Sequence, residues 1–305
     1  MKALYPLAGV VPIINTPFTD SNEVDLDSIE RLVEQGIRDG IVGCIVPAFA
    51  SEVMKLTEAE RKTLTREVIR CARGRIKVFV GATDPSASRA RMFAEDGLAA
   101  GADGILCSVP ADISSDKART KAYFGEVARA QMPLFMIQDL SWSGYGMALD
   151  TIMEMWEEIE PFRCLKLETV PAGYKMTQLI EASKNTMAIG SGWSLPQLIE
   201  ALDRGTQFLT TTAINKPFVH IFRLHREGDR EAAVRLFNSI LPYMAFAHQH
   251  LDVSIHFLKR YCRRRGLFAT ANVREPVLPF DRYHERCSAE LIEQVIAIED
   301  ELGNR

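Results

Sequence analysis

Lys166 is the residue whose neighbours say most about chemistry. It stands in residues 161–169, PFRCLKLET, with Leu165 and Leu167 beside it and Cys164 and Glu168 one step further out. Side chains alternate across a strand, so Leu165 and Leu167 share one face while Cys164, Lys166 and Glu168 share the other. An ammonium on an enclosed face is costly unless it is paired or neutral. Burial favours the neutral amine, the nucleophile that forms an imine with a carbonyl compound. Two readings of Lys166 therefore stand together: an imine-forming nucleophile, or one half of an internal ion pair with Glu168 or Glu52. An exposed edge strand is the bland third.

Other reactive side chains carry less. His248, His250 and His256 suggest a metal, but His248 and His250 are two apart on a predicted helix and do not share a face. No carboxylates complete a set, and no metal is expected. The run KRYCRRR at residues 259–265 reads as a solvated helix end, with cations favourable near a C-terminus. The six cysteines are scattered without a C-x-x-C pair, as free thiols of a reducing compartment are. Trp142 and Trp193 flank the expected mouth of the fold, either as packing or as the wall for a bulky substrate.

The elements that must position Lys166 follow a regular rhythm. Apolar, β-rich runs occupy residues 9–16, 43–49, 76–81, 104–109, 134–138, 164–168, 187–191 and 207–212. Each is followed by an amphipathic stretch, with helix starts near Asp27, Thr57, Pro85, Asp116, Asp150, Ala172, Ser194 and Pro217. Thr57 and Glu60 form a capping box. Several runs are almost wholly apolar, as parallel strands covered by helices are. Eight such units predict an α/β fold, a (β/α)8 TIM barrel spanning residues 1–228, with Lys166 near the C-terminal end of the sixth strand, where such barrels place their sites. A doubly wound sheet would show a glycine-rich turn after the first strand; Asn15-Thr16-Pro17-Phe18 stands there instead. Residues 229–247, 251–265 and 288–302 read as helices of a C-terminal appendage, residues 229–305, with 266–286 irregular.

With 305 residues, 47% hydrophobic, and a net charge of −4, the chain has ample core material and no electrostatic footprint for nucleic acid. No cleavable leader and no apolar run near the ~18 residues of a membrane span are visible. A soluble, cytoplasmic protein without a membrane or nucleic-acid partner is expected.

Val11-Pro12 to Thr16-Pro17-Phe18, the lysine within Cys-Leu-Lys-Leu-Glu-Thr, Gly190-Ser191-Gly192, and Gly266-Leu267 followed by Val273-Arg274-Glu275-Pro276 occur in an order that resembles a known superfamily. It is that of the pyruvate-dependent class I aldolases and lyases, which includes dihydrodipicolinate synthase and N-acetylneuraminate lyase. The resemblance implies a TIM barrel with a C-terminal helical domain, a homo-oligomer (tetramer or dimer), no cofactor, and an imine between Lys166 and pyruvate or another 2-oxo acid. It also implies that Gly192 and Leu209 line the imine pocket.

The chain departs from that pattern in three places. The turn after strand two, usually Gly-Thr-Thr-Gly-Glu, reads Ala48-Phe49-Ala50-Ser51-Glu52, so Phe49 and Ala50 replace two hydroxyls. The N–H groups of Ala50 and Ser51 remain as an anion nest, and Ser51 has a hydroxyl that is equally an ordinary turn residue. The family's proton-relay tyrosine falls at or near Ile137; Tyr145, in the loop 141–146, or water oriented by Gln138 and Asp139, is the candidate replacement. The loop after strand four reads Pro110-Ala111-Asp112-Ile113. These losses argue against authentic dihydrodipicolinate synthase activity. They leave a Schiff-base lyase or aldolase for 2-oxo acids, and beside it a non-catalytic sensor or scaffold descended from that family.

Overall fold

The computed structural model describes residues 2–303. Its strands are β1 (Gly9–Val10), β2 (Gly43–Val46), β3 (Lys77–Gly81), β4 (Gly104–Ser108), β5 (Phe135–Leu140), β6 (Phe162–Glu168), β7 (Ala188–Ser191) and β8 (Phe208–Leu209). The helices following them are α1 (Leu26–Asp39), α2 (Glu58–Ala72), α3 (Ala87–Ala99), α4 (Lys117–Ala128), α5 (Leu149–Glu158), α6 (Gly173–Ala182), α7 (Leu198–Arg204) and α8 (Lys216–Arg226). All eight strands lie parallel, in the order β1-β8-β7-β6-β5-β4-β3-β2. An Ile13–Ile45 bridge and the bond from the Val42 N–H to the Val10 carbonyl (3.0 Å) bring the two edges together. The result is a nearly closed (β/α)8 barrel.

β1 is shorter than the apolar run around it because Pro12 has no N–H for a continuous ladder. Beyond it the pairing continues bond by bond: Val11 N–H to the Leu209 carbonyl at 2.8 Å, and Ile13 N–H to the Thr211 carbonyl at 2.9 Å. The α2 start follows the expected capping box, with the Glu60 N–H on Thr57 Oγ1 (3.2 Å) and the Thr57 N–H on Glu60 Oε2 (2.8 Å).

Alternation along the strands divides the apolar residues in two. Phe79, Leu106, Met136, Cys164, Ala188 and Phe208 fill the barrel interior. Leu165, Leu167, Ile189 and Ile137 point outward and pack under the helices. A Cβ on Gly190 would lie 2.1 Å from the Phe208 ring, so glycine at that position leaves room for the interior plug.

Three more helices follow: α9 (Arg230–Ala247), α10 (Leu251–Arg264) and α11 (Arg282–Gly303). The apolar cluster around Val10, Cys44 and Phe218 continues without a break into Tyr243, Phe257 and Val295. Helix α11 starts at Arg282, earlier than the expected residue 288, because Asp281 Oδ1 accepts the N–H groups of Tyr283 and His284, both at 3.0 Å. The basic run is a solvated helix end only at Arg263 and Arg264, which are exposed in the last turn of α10. Lys259 is fully buried against Glu52, and Arg260 and Arg264 pair with Glu285 and Glu293 of α11. Among the described residues, no helix is long and apolar enough to cross a membrane.

Candidate active site

Lys166 is 1% exposed and sits on the inward face of β6, directly above Cys164 and the apolar plug. The register sets Gln138 of β5 and Gly190 of β7 on either side of it. The position opposite the lysine is thus Gln138, not Ile137, which points outward. A one-residue difference in register moves a side chain to the other face of the sheet. Gln138, one of the candidate replacements for the family tyrosine, occupies the place beside Lys166.

Lys166 Nζ lies 3.1 Å from Glu168 Oε2, so the ion-pair reading of the lysine holds and its partner is Glu168. Glu168 is held from two further sides: Gln138 Nε2 donates to Oε2, and the Trp193 N–H donates to Oε1 at 2.8 Å. Gly192 permits this approach, since a Cβ there would fall 1.9 Å from Glu168 Oε1. Gln138 Oε1 is buried and has no hydrogen-bond partner among the described residues, leaving an acceptor for a bound molecule. Glu52, the other candidate partner, is engaged elsewhere. It pairs with Lys259 and with Lys55 (3.2 Å) and accepts the Arg274 N–H at 3.0 Å. Its φ of 57° bends the chain beside Phe49 and Ala50. Burial lowers the Lys259 pKa, with the Glu52 carboxylate opposing it.

Above Lys166 a cavity opens towards the barrel mouth. Its floor holds Lys166, Glu168, Gln138 and Gly192; Phe49, Ala50 and Thr210–Thr212 form one side. The other side comes from α9 and α10, through Tyr243, Ala247, Leu251 and Leu258. Trp142 and Trp193 stand at the mouth, edge to face, with centroids 4.9 Å apart.

Of the sequence candidates, Lys166, Gln138, Phe49, Ala50 and Gly192 meet in this cavity, and Ser51, Leu209, Asp139 and Tyr145 do not line it. Ser51 is fully buried behind the wall, where its hydroxyl donates to the Ile14 carbonyl and accepts the Ala48 N–H at 3.0 Å. Its own N–H is committed to the Ala48 carbonyl at 2.9 Å, so the anticipated two-amide nest is halved. Leu209 is turned towards the helices by the same alternation that turns Phe208 inward, and Thr210–Thr212 take the cavity side. Asp139, one residue after Gln138, faces outward and pairs with buried Lys175. Tyr145 packs over that lysine, 4.8 Å from Nζ to ring centroid, and its hydroxyl donates to Gln178.

Two cavity residues had no assigned role in the sequence. The sequence reads Glu168 as an ion-pair partner of Lys166, and its place two residues on, on the same strand face, is the signal for a role in the site. His248 reads in the sequence as a metal candidate. No local pattern shows that the end of α9 reaches the barrel mouth.

The family model described as the dihydrodipicolinate synthetase family matches residues 6–295. The chain belongs to this family. Among its relatives, an L-2-keto-3-deoxyarabonate dehydratase from Azospirillum brasilense is 26% identical over 93% of this chain and 92% of its own. A 4-hydroxy-tetrahydrodipicolinate synthase from Salinibacter ruber is 24% identical over 90% of each chain. A dihydrodipicolinate synthase from Rhodopseudomonas palustris superposes with a TM-score of 0.88 at 24% identity, covering 96% of this chain and 100% of that one. Membership makes the chain a lyase of this family; identities at this level do not carry one member's reaction over to another.

Proposed function

We propose that the protein is a class I lyase that binds a 2-oxo acid as an imine on Lys166, with Glu168 as the proton-transfer group. The observation that carries this reading is the buried amine–carboxylate pair, 3.1 Å apart, at the bottom of the mouth cavity. Attack on C2 of a 2-oxo acid needs an unprotonated amine. Passing the Lys166 proton to Glu168 supplies it without changing the net charge of an enclosed site. Loss of water from the adduct gives the protonated imine, which withdraws electrons from C3. Glu168 stands beside the nitrogen, within the same cavity, to remove a C3 proton or return one; a group in that role typically contributes about 10²–10⁴-fold.

Gln138 and the Trp193 N–H fix the carboxylate, so one acid–base group serves where the family tyrosine is missing. That the A. brasilense relative is named for a 2-keto acid substrate supports the substrate class.

The test is to incubate the protein with pyruvate, reduce with borohydride and weigh the intact chain. A mass gain mapping to the peptide that contains Lys166, and absent from Lys166→Ala, is expected. A wild-type protein that gains no mass, or an adduct on another lysine, overturns the reading.

A further inference from the structure

We propose that the cleft between α2 and α3 binds a tetrahedral oxoanion of phosphate size, held by Arg61. The cleft lies outside the barrel, over the end of β3, and shares no lining residue with the cavity above Lys166. The site is therefore independent of the imine.

Arg61 comes from the first turn of α2, is 8% exposed and lines the cleft. Burial lowers its pKa to about 10, which leaves the group charged at neutral pH. A buried charge is costly unless an opposite charge meets it. The carboxylates nearby are claimed by other cations: Asp84 by Arg89 at 3.1 Å, Glu58 by Lys62 at 2.9 Å, and Asp96 by Lys62 at 2.8 Å. Among the described residues Arg61 makes no ion pair.

Its hydrogen bonds are also incomplete. A guanidinium has five N–H groups. Nη2 donates to the carbonyls of Gly81 (3.2 Å) and Thr83 (3.3 Å). Nε is buried and has no partner among the described residues. The Phe93 ring covers one face of the group, with its centroid 3.6 Å from Cζ, so a ligand is met by the N–H edge.

Two more donors stand on the same side of α2. Thr65 follows Arg61 by four residues and Arg66 follows Lys62 by four, the spacing at which helical side chains are neighbours. Both line the cleft. Thr65 is buried, and its hydroxyl has no hydrogen-bond partner among the described residues. Arg66 is exposed on the rim and makes no ion pair among them. Asp96 is the one carboxylate in the lining, and Lys62 neutralises it.

This donor set favours a tetrahedral anion over a planar one. A carboxylate has two oxygens, and one guanidinium edge uses both. Phosphate keeps further oxygens for Thr65 and Arg66, and its second charge answers the second arginine.

The test is a titration of the protein with inorganic phosphate at constant ionic strength, read by phosphorus NMR line broadening, with sulfate and acetate as competitors. One saturable site is expected, with sulfate competing and acetate at least about tenfold weaker. Loss of a charge-assisted bond should weaken phosphate binding about 10–100-fold in Arg61→Met, and loss of an exposed charge about two- to fivefold in Arg66→Met. Lys166→Ala, and Arg286→Met on α11, should bind within about twofold of wild type. No saturable site in wild type, acetate binding as tightly as phosphate, binding retained in Arg61→Met, or binding lost in Lys166→Ala would each overturn the assignment. Should Arg61→Met fail to fold, unchanged affinity in Arg66→Met overturns it.

Discussion

Substituting Gly192 by alanine tests whether the position of Glu168 controls the chemistry. The ideal Cβ at residue 192 falls 1.9 Å from Glu168 Oε1 and 2.5 Å from Thr210 Oγ1, whereas real Cβ atoms do not come within 3.0 Å of a neighbour. The carboxylate must therefore retreat by about 1 Å, which is the scale of misplacement that costs an enzyme on the order of 10²-fold. Oε1 is the atom that accepts the Trp193 N–H at 2.8 Å, and Oε2 is shared by Gln138 and Lys166. Moving the group strains all three contacts. Overpacking, and a buried donor left short of its acceptor, together give a stability loss of about 2–4 kcal/mol. Deuterium exchange at the pyruvate methyl, followed by NMR, reads proton transfer at C3. Urea unfolding reads stability, and borohydride trapping reads imine formation. Gly192→Ala is expected to lower exchange on the order of 10²-fold while still forming the adduct. A folded variant that exchanges within threefold of wild type would refute the argument that Glu168 must sit where Gly192 allows it.

Further outcomes follow from groups outside the cavity. Asp139→Ala leaves Lys175 buried without its carboxylate and is expected to destabilise the protein by about 3–5 kcal/mol. Pyruvate exchange, assayed below the melting range, should stay within twofold, as it should in Tyr145→Phe; a tenfold fall in either would place these residues at the site after all. Burial raises the Glu299 pKa from 4.5 to about 7, although the Tyr261 hydroxyl donates to it at 2.6 Å. The folded state then holds a proton between pH 4.5 and about 7 that the unfolded chain has released. The resulting stability is present below pH 4.5 and is lost as the pH rises to about 7. Urea unfolding should show wild type losing up to about 3 kcal/mol relative to Glu299→Gln across that window. Parallel pH profiles for the two proteins would show that Glu299 titrates normally.

Local rules were enough for the β/α rhythm, for the α2 capping box, and for the face of β6 that carries Lys166. Each depends on residues within a few positions of one another, and side-chain alternation needs no knowledge of the partner strand. The family resemblance, carried over without the register, put Ile137 and Leu209 at the site although both lie outside the barrel. Whether Ile137 or Gln138 stands beside Lys166 depends on how two strands slide past each other, and Leu209 lies outside because Phe208 fills the plug. Glu52 looked as available to the lysine as Glu168 until the fold brought Lys259, over two hundred residues later, to claim it. His248 reaches the mouth only because the apolar faces of α9 and α10 pack beside the barrel wall. The sequence by itself determined that a lysine and a carboxylate share the inward face of the sixth strand. Tertiary structure alone decided what surrounds them, because closing a ring and docking helices on it are set by the packing of residues far apart in the chain.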